Sequence, residues 1–183
     1  LDLIARGLVD PGDVIATEDP GYEGIRGVLA ASGATLLPIP VDEDGLQVDR
    51  LDQGPPARIV VTTPSRNYPL GTTLSLARRL ALLAWADAHD AWIVEDDYDS
   101  DYRYDGPPLS SLQGLDRQNR VLYVGTFSRV LFPGIRLGYL VLPPALIPVF
   151  RGMRGFADGV PAPTAQAALA AFFAEGHFGG HVR

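Results

Sequence analysis

Neither cysteine nor lysine occurs anywhere in this chain of 183 residues. Without cysteine there are no disulfides and no thiolate metal sites, a composition compatible with a cytoplasmic protein. Without lysine there is no side chain that a lowered pKa can turn into a neutral, nucleophilic amine. All 15 basic residues other than histidine are arginine, and guanidinium stays protonated above pH ~12. Long apolar runs are missing as well. No stretch of about 18 apolar residues could span a bilayer, and no basic segment leads into an apolar stretch with a small-residue cleavage site. The expectation is a soluble chain with no membrane partner. Positive charge is scarce: 22 acidic residues face 15 basic ones, for a net charge of −7. That balance argues against a nucleic-acid-binding face in this segment.

What is present suits a folded core. Hydrophobic residues make up 46% of the chain and mean hydropathy is +0.08, values of a globular rather than a disordered protein. The length suggests one domain or part of a larger one. Leu1 to Val9 reads as an apolar helix with no N-cap before it, and Phe178 to Arg183 carries no stop signal. A segment of a longer protein is expected.

Strand-like and helical segments alternate, the pattern of a sheet layered with helices. Val14 to Thr17 is a short apolar run ending at the turn Asp19-Pro20-Gly21. Tyr22 to Ser32 has helical spacing and stops at Gly33. Thr35 to Ile39 reads as a strand, Gly45 to Leu51 as a short helix, and Pro55-Pro56 as a loop. Arg58 to Thr62 is a β-branched run of the kind buried on both faces of a sheet. Beyond a turn through Pro64, Pro69 and Gly71, Ser75 N-caps a helix to about His89. Trp92 to Val94, Val121 to Val124 and Leu137 to Leu142 complete the strands. Pro144 to Phe156 and Thr164 to Glu175 read as helices. In such sheets chemistry collects beyond the strand carboxyl ends, where three polar clusters fall.

The first cluster, Glu95-Asp96-Asp97-Tyr98-Asp99-Ser100-Asp101-Tyr102, holds five carboxylates within seven residues. It can be read as a solvated acidic loop or as an oxygen-rich site for Mg²⁺ or Ca²⁺, although its spacing is not that of an EF-hand. The second, Thr62-Thr63-Pro64-Ser65-Arg66-Asn67-Tyr68-Pro69-Leu70-Gly71, is a turn rich in Pro and Gly. The third runs from Gly125-Thr126-Phe127-Ser128-Arg129 through Phe132-Pro133-Gly134 to Arg136 and Tyr139. On its own it is a strand, a loop and a surface arginine. Upstream lies Glu18-Asp19-Pro20-Gly21-Tyr22.

Taken in order, these segments resemble the class I/II aminotransferases, pyridoxal-phosphate (PLP) enzymes of fold type I. The aminotransferase-like domain of MocR-type regulators in the GntR family is the nearest form. Glu-Asp-Asp-Tyr-Asp-Ser and Gly-Thr-Phe-Ser-x-Val-Leu-Phe-Pro are similar to that group in particular. The resemblance implies a three-layer α/β/α fold with a mostly parallel central sheet. It makes residues 1–183 a partial large domain, without the winged helix-turn-helix and the carboxyl-terminal small domain of the family.

The resemblance also implies roles for single residues. Tyr22 stacks on the pyridine ring, Asn67 reaches the phenolic oxygen, Asp96 pairs with the pyridinium nitrogen and Tyr98 meets the phenolic oxygen. Thr126, Ser128 and Arg136 hold the phosphate, for which an arginine fork is well shaped. Arg66, Asn67 and Leu70 stand where the regulators have His, Gln and Thr. Arg129 stands where the family has the lysine that forms a Schiff base with PLP. The cofactor would therefore bind without a covalent link, and transamination would be lost.

Two functions follow as alternatives. One is an effector-sensing module of a transcriptional regulator that takes a small amine or amino acid, meets DNA only through a domain outside this chain, and forms homodimers when complete. The other is a fragment or decayed form of an aminotransferase acting on amino acids. Neither implies a resident metal.

Overall fold

The computed structural model describes residues 1–99, 110–157, 159 and 162–182. Helix α1 (Asp2–Leu8) leads into strand β1 (Val14–Asp19), helix α2 (Glu23–Ala31) and strand β2 (Thr35–Asp42). A short strand β3 (Gly45–Leu46) follows, then β4 (Ile59–Thr62), helix α3 (Leu76–Ala88) and β5 (Trp92–Asp97). Helix α4 (Leu112–Leu115), β6 (Val121–Thr126), α5 (Phe127–Val130) and β7 (Gly138–Val141) come next. Helices α6 (Ile147–Ala157), α7 (Pro163–Ala174) and α8 (His177–Val182) complete the order.

The described strands form one sheet of seven in the order β3-β2-β1-β4-β5-β6-β7. Strands β2, β1, β4, β5 and β6 run parallel, while β3 and β7 close the two edges antiparallel. The parallel order places the carboxyl ends of β1, β4, β5 and β6 along one rim. Pro38 and Pro40 are tolerated in β2 because its outer side is paired only at Val41 and Asp42.

Alternation along each strand sends side chains to two separate cores. Ala16, Val60 and Ile93 pack with Leu82 and Trp85 of α3 and with Leu112 of α4. Ile15, Ile59, Val61 and Val94 pack with Ile4 of α1, Ile25 and Leu29 of α2, and Phe150 of α6. The sheet is thus sandwiched between helices, the three-layer arrangement expected. Ser75 caps α3 as read from the sequence, its hydroxyl accepting from the Arg78 amide at 3.4 Å.

Some boundaries differ. Gly45 to Leu51 is a helix only in its second half: Leu46 pairs with Val41 in a hairpin, and a 3-10 helix covers Val48–Gln53. Gly45 has φ +92°, and a Cβ there would lie 2.8 Å from the Leu74 Cα, which suits a glycine turn rather than a helix start. Strand β5 continues through Glu95, Asp96 and Asp97, so three of the five carboxylates of the acidic cluster lie in strand. Ser100, Asp101 and Tyr102 lie outside the described residues. No helix among the described residues is long and apolar enough to cross a membrane.

Candidate functional site

The acidic cluster is divided by the pleat of β5. Glu95 and Asp97 face the α3 and α4 side, and Asp96 faces the other. Glu95 is fully buried and accepts the backbone N–H groups of Leu112 and Gln113, both at 2.9 Å. The Arg79 guanidinium, itself buried, stands 3.9 Å away and donates to the carbonyls of Leu74, Pro64 and Ser110. Burial pushes the Glu95 carboxyl above its ordinary value while these donors pull it back. Asp97 accepts the Tyr123 hydroxyl at 2.6 Å. Burial first, and then this bond, drive the tyrosine pKa upward. Both acids serve the framework around the rim.

A second buried acid organises the opposite part of the rim. Glu18, at the end of β1, accepts from Thr62 Oγ1 at 2.6 Å, the Thr63 amide at 3.0 Å, Thr63 Oγ1 at 2.6 Å and Asn67 Nδ2 at 2.9 Å. The same Asn67 nitrogen donates to the Pro20 carbonyl at 3.2 Å. The loop after β1 and the loop after β4 are thereby tied together. Each carries a tyrosine, and the rings of Tyr22 and Tyr68 meet edge to face with centroids 6.0 Å apart. Gly24 makes room for this arrangement, since a Cβ there would lie 2.5 Å from the Tyr22 ring.

These loops open onto a cavity of about 370 Å³ lined by Tyr22, Thr63, Tyr68, Asp96, Tyr98 and Arg129. Four of the expected site residues, Tyr22, Asp96, Tyr98 and Arg129, come together in it from segments far apart in sequence. Asp96 is its acid. Burial pushes the Asp96 carboxyl up to about 6, with the negative charges of Asp97 and Glu18 acting the same way. Tyr98 is also held above its ordinary pKa, by burial first and then by Asp99. At one wall Asp99 pairs with two arginines: Arg66 Nη1 at 3.2 Å and Arg129 Nε at 3.7 Å.

The other expected residues lie elsewhere. Asn67 is buried with its amide committed to Glu18 and Pro20, and its neighbour Tyr68 lines the cavity instead. Thr126 caps α5, accepting the Ser128 amide at 3.1 Å, and lines an adjoining space with Asp97, Tyr123 and Tyr139. Ser128 belongs to the same short helix. Arg136 is exposed in left-handed backbone, φ 49°. Glu18, Thr63, Tyr68 and Asp99 were not expected at the site. The one available sequence signal was the position of Tyr68 directly before Pro69. Among the described residues no group of three or more His, Asp or Glu is placed to hold a metal ion.

Residues 1–179 match the family model for aminotransferase class I and II. This chain belongs to the class I and II aminotransferase family. Its sheet order and layers are those of fold type I. The chain is 45% identical over all its 183 residues to the probable rhizopine catabolism regulatory protein MocR of Rhizobium meliloti, of which it covers 37%. It is 44% identical over 96% of its length to the HTH-type transcriptional regulator TauR of Rhodobacter capsulatus, covering 36% of that protein. Among solved structures, the kynurenine aminotransferase of Pyrococcus horikoshii superposes with a TM-score of 0.94 at 31% identity. That match covers 99% of this chain and 47% of the aminotransferase chain. The chain therefore spans little more than a third of the length of the curated relatives it matches.

The lining of the aminotransferase cavity suits a flat, nitrogen-containing aromatic ring. It offers three tyrosine rings with their hydroxyls, the Thr63 hydroxyl, the Asp96 carboxyl pushed up to about 6 and one guanidinium. That combination of donors and acceptors matches the groups PLP presents.

Proposed function

We propose that this chain binds PLP non-covalently in the Tyr22–Asp96–Arg129 cavity and serves as the effector-sensing part of a MocR/GntR-type transcriptional regulator. The observation that carries the reading is the convergence of Tyr22, Asp96, Tyr98 and Arg129 on one cavity. Family membership and the two regulators similar to this chain support it.

Bound PLP supplies an electron sink when its ring nitrogen is protonated. Asp96 would hold the proton at that nitrogen, and its carboxyl near 6 matches a shared proton better than an ordinary aspartate would. Tyr22 and Tyr68 would confine the ring between their faces and edges and keep water from it. Tyr98 would meet the phenolic oxygen. The Asn67 amide already has two acceptors, so Tyr68 takes the cavity position that Asn67 was expected to fill. Thr126, Ser128 and Arg136 line no part of this cavity, and only the family resemblance assigns them to the phosphate, which would then lie beside it.

Arg129 stands at the lysine position of the family in this reading. Its guanidinium can place positive charge at the cavity wall but cannot act as an amine nucleophile or shuttle a proton at ordinary pH. Transamination by this chain is accordingly proposed to be absent. Binding of a small amine or amino acid would shift the conformation of the whole regulator. DNA contact through a domain outside this chain, homodimer formation and a cytoplasmic location belong to the same proposal.

The likeness to the Pyrococcus aminotransferase favours a second reading, an enzyme fragment of aminotransferase descent. Incubating the purified protein with PLP and a panel of amino acids separates the two. Saturable PLP binding with no accumulation of pyridoxamine phosphate is the expected result. Sustained conversion of PLP to pyridoxamine phosphate would favour the enzyme.

A further inference from the structure

A second space of about 350 Å³ opens at the same rim, walled by Asp97, Tyr123, Phe127, Tyr139, Phe173 and Phe178. Among the described residues it has no lining residue in common with the cofactor cavity, and Asp97 leaves β5 on the face opposite to Asp96. Its five aromatic rings come from β6, α5, β7, α7 and α8. Phe173 and Phe178 stack with centroids 4.4 Å apart and make one wall. Phe127 stands across them, at 72° to Phe173 and 87° to Phe178. Tyr139 lies 5.4 Å from Phe127 and 6.0 Å from Tyr123. A Cβ on Gly125 would collide with the Tyr139 ring, so this glycine lets the ring lie over β6. Close-packed cores leave few voids larger than a water molecule, whereas these rings enclose a space the size of a small-ligand site. Tyr139 and Phe173 are exposed, which opens it to solvent. Asp97 is the acid of the wall, buried and held there by the Tyr123 hydroxyl, which donates to it at 2.6 Å. No arginine or histidine is among the described lining residues.

We propose that this aromatic box binds a small organic cation of the quaternary or methylated ammonium class. The faces of aromatic rings attract such ions through the ring quadrupole. Methyl groups around the nitrogen spread the charge over an apolar surface that can meet rings on several sides at once. The ion needs no hydrogen bond from the protein. Asp97 contributes its charge at short range, in a site partly shielded from water where charge acts more strongly. Mg²⁺ and Ca²⁺ seek several oxygen ligands, which phenyl rings do not supply, and an anion would meet the Asp97 carboxylate. The box lies apart from the cofactor cavity, and the inference stands whether or not PLP binds there.

The probe is choline, titrated beside its uncharged isostere, in which a tert-butyl group replaces the trimethylammonium. NMR of the ligand methyl signal reads both affinities on one preparation without added PLP. Choline should bind roughly tenfold more tightly than the isostere. Phe173→Leu and Asp97→Asn, each shown to be folded by circular dichroism, should shrink that ratio severalfold. Equal affinities for the wild type would make the box a plain apolar pocket and overturn the proposal, as would failure of choline to bind. A ratio that survives both substitutions also overturns it. The cofactor cavity has tyrosines and an acid of its own, so Tyr22→Leu is the control. A ratio lost in Tyr22→Leu and kept in Phe173→Leu and Asp97→Asn would put choline in the cofactor cavity and sink the proposal. PLP takes no part in these titrations, so failure here leaves the cofactor reading untouched.

Discussion

Asn67 Nδ2 donates to Glu18 Oε2 at 2.9 Å, although 49 residues separate the two in sequence. With the hydroxyls of Thr62 and Thr63 and the Thr63 amide, this bond makes Glu18 an acceptor for four donors. Glu18→Gln keeps the shape but replaces one acceptor oxygen by a donor. A threonine hydroxyl can turn to accept, whereas the Asn67 amide nitrogen and the Thr63 backbone N–H cannot. The substitution should lower stability by about 1–3 kcal/mol in urea unfolding and weaken PLP binding by loosening the Tyr22–Tyr68 pair. Unchanged stability and unchanged binding would mean that the two loops hold themselves.

Asp96 sets a pH dependence of folding. Its carboxyl titrates at about 6 in the folded protein against an ordinary 3.8, so the folded state holds the proton more tightly than the unfolded one. The resulting penalty is absent below pH 3.8, grows between 3.8 and 6, and is fully present above 6. At ~1.36 kcal/mol per pH unit it amounts to something on the order of 3 kcal/mol. In the absence of PLP, Asp96→Asn should therefore be more stable than wild type at pH 7.5 and equal to it at pH 3.5, as followed by thermal or urea unfolding. A constant difference across that range would show that Asp96 is not buried as a carboxyl.

Arg129 can be tested by returning an amine to its position. In Arg129→Lys, the introduced amine should condense with the PLP aldehyde, losing water and forming a C=N bond that borohydride reduces. Mass spectrometry should then find one phosphopyridoxyl group on the variant and none on the wild type. If the variant binds PLP but no adduct can be trapped, Arg129 does not stand beside the aldehyde.

Gly138 holds the edge strand against the site. A Cβ at this position would lie 2.8 Å from the Gly125 carbonyl oxygen, a backbone atom that cannot swing aside, and Gly138 pairs with Thr126. Gly138→Ala should cost about 1–3 kcal/mol and displace the Gly125–Ser128 segment. A wild-type unfolding midpoint in urea would show that β7 shifts freely.

The alternation of strand and helix was legible because apolar runs such as Ile59 to Val61 and amphipathic segments such as Leu76 to Ala88 declare themselves locally. The acidic segment was not. Which acid faces the cavity depends on β5 continuing to Asp97, so that Glu95 and Asp96 point to opposite faces. The burial of Asn67 was likewise hidden, since its Glu18 partner lies 49 residues upstream. The pairing of Arg66 and Arg129 through Asp99 joins three segments and leaves no local signature in any of them. Motif order identified the family, and long-range hydrogen bonds decided which side chains the cavity presents.

The most direct test is equilibrium dialysis of PLP against the purified protein and against Asp96→Ala, with circular dichroism confirming that both are folded. The account predicts one saturable, fully reversible site in the wild type, weakened about tenfold or more when the carboxyl at the ring nitrogen is removed. A folded wild-type protein that shows no saturable PLP binding, or one that binds PLP equally well without Asp96, would contradict it.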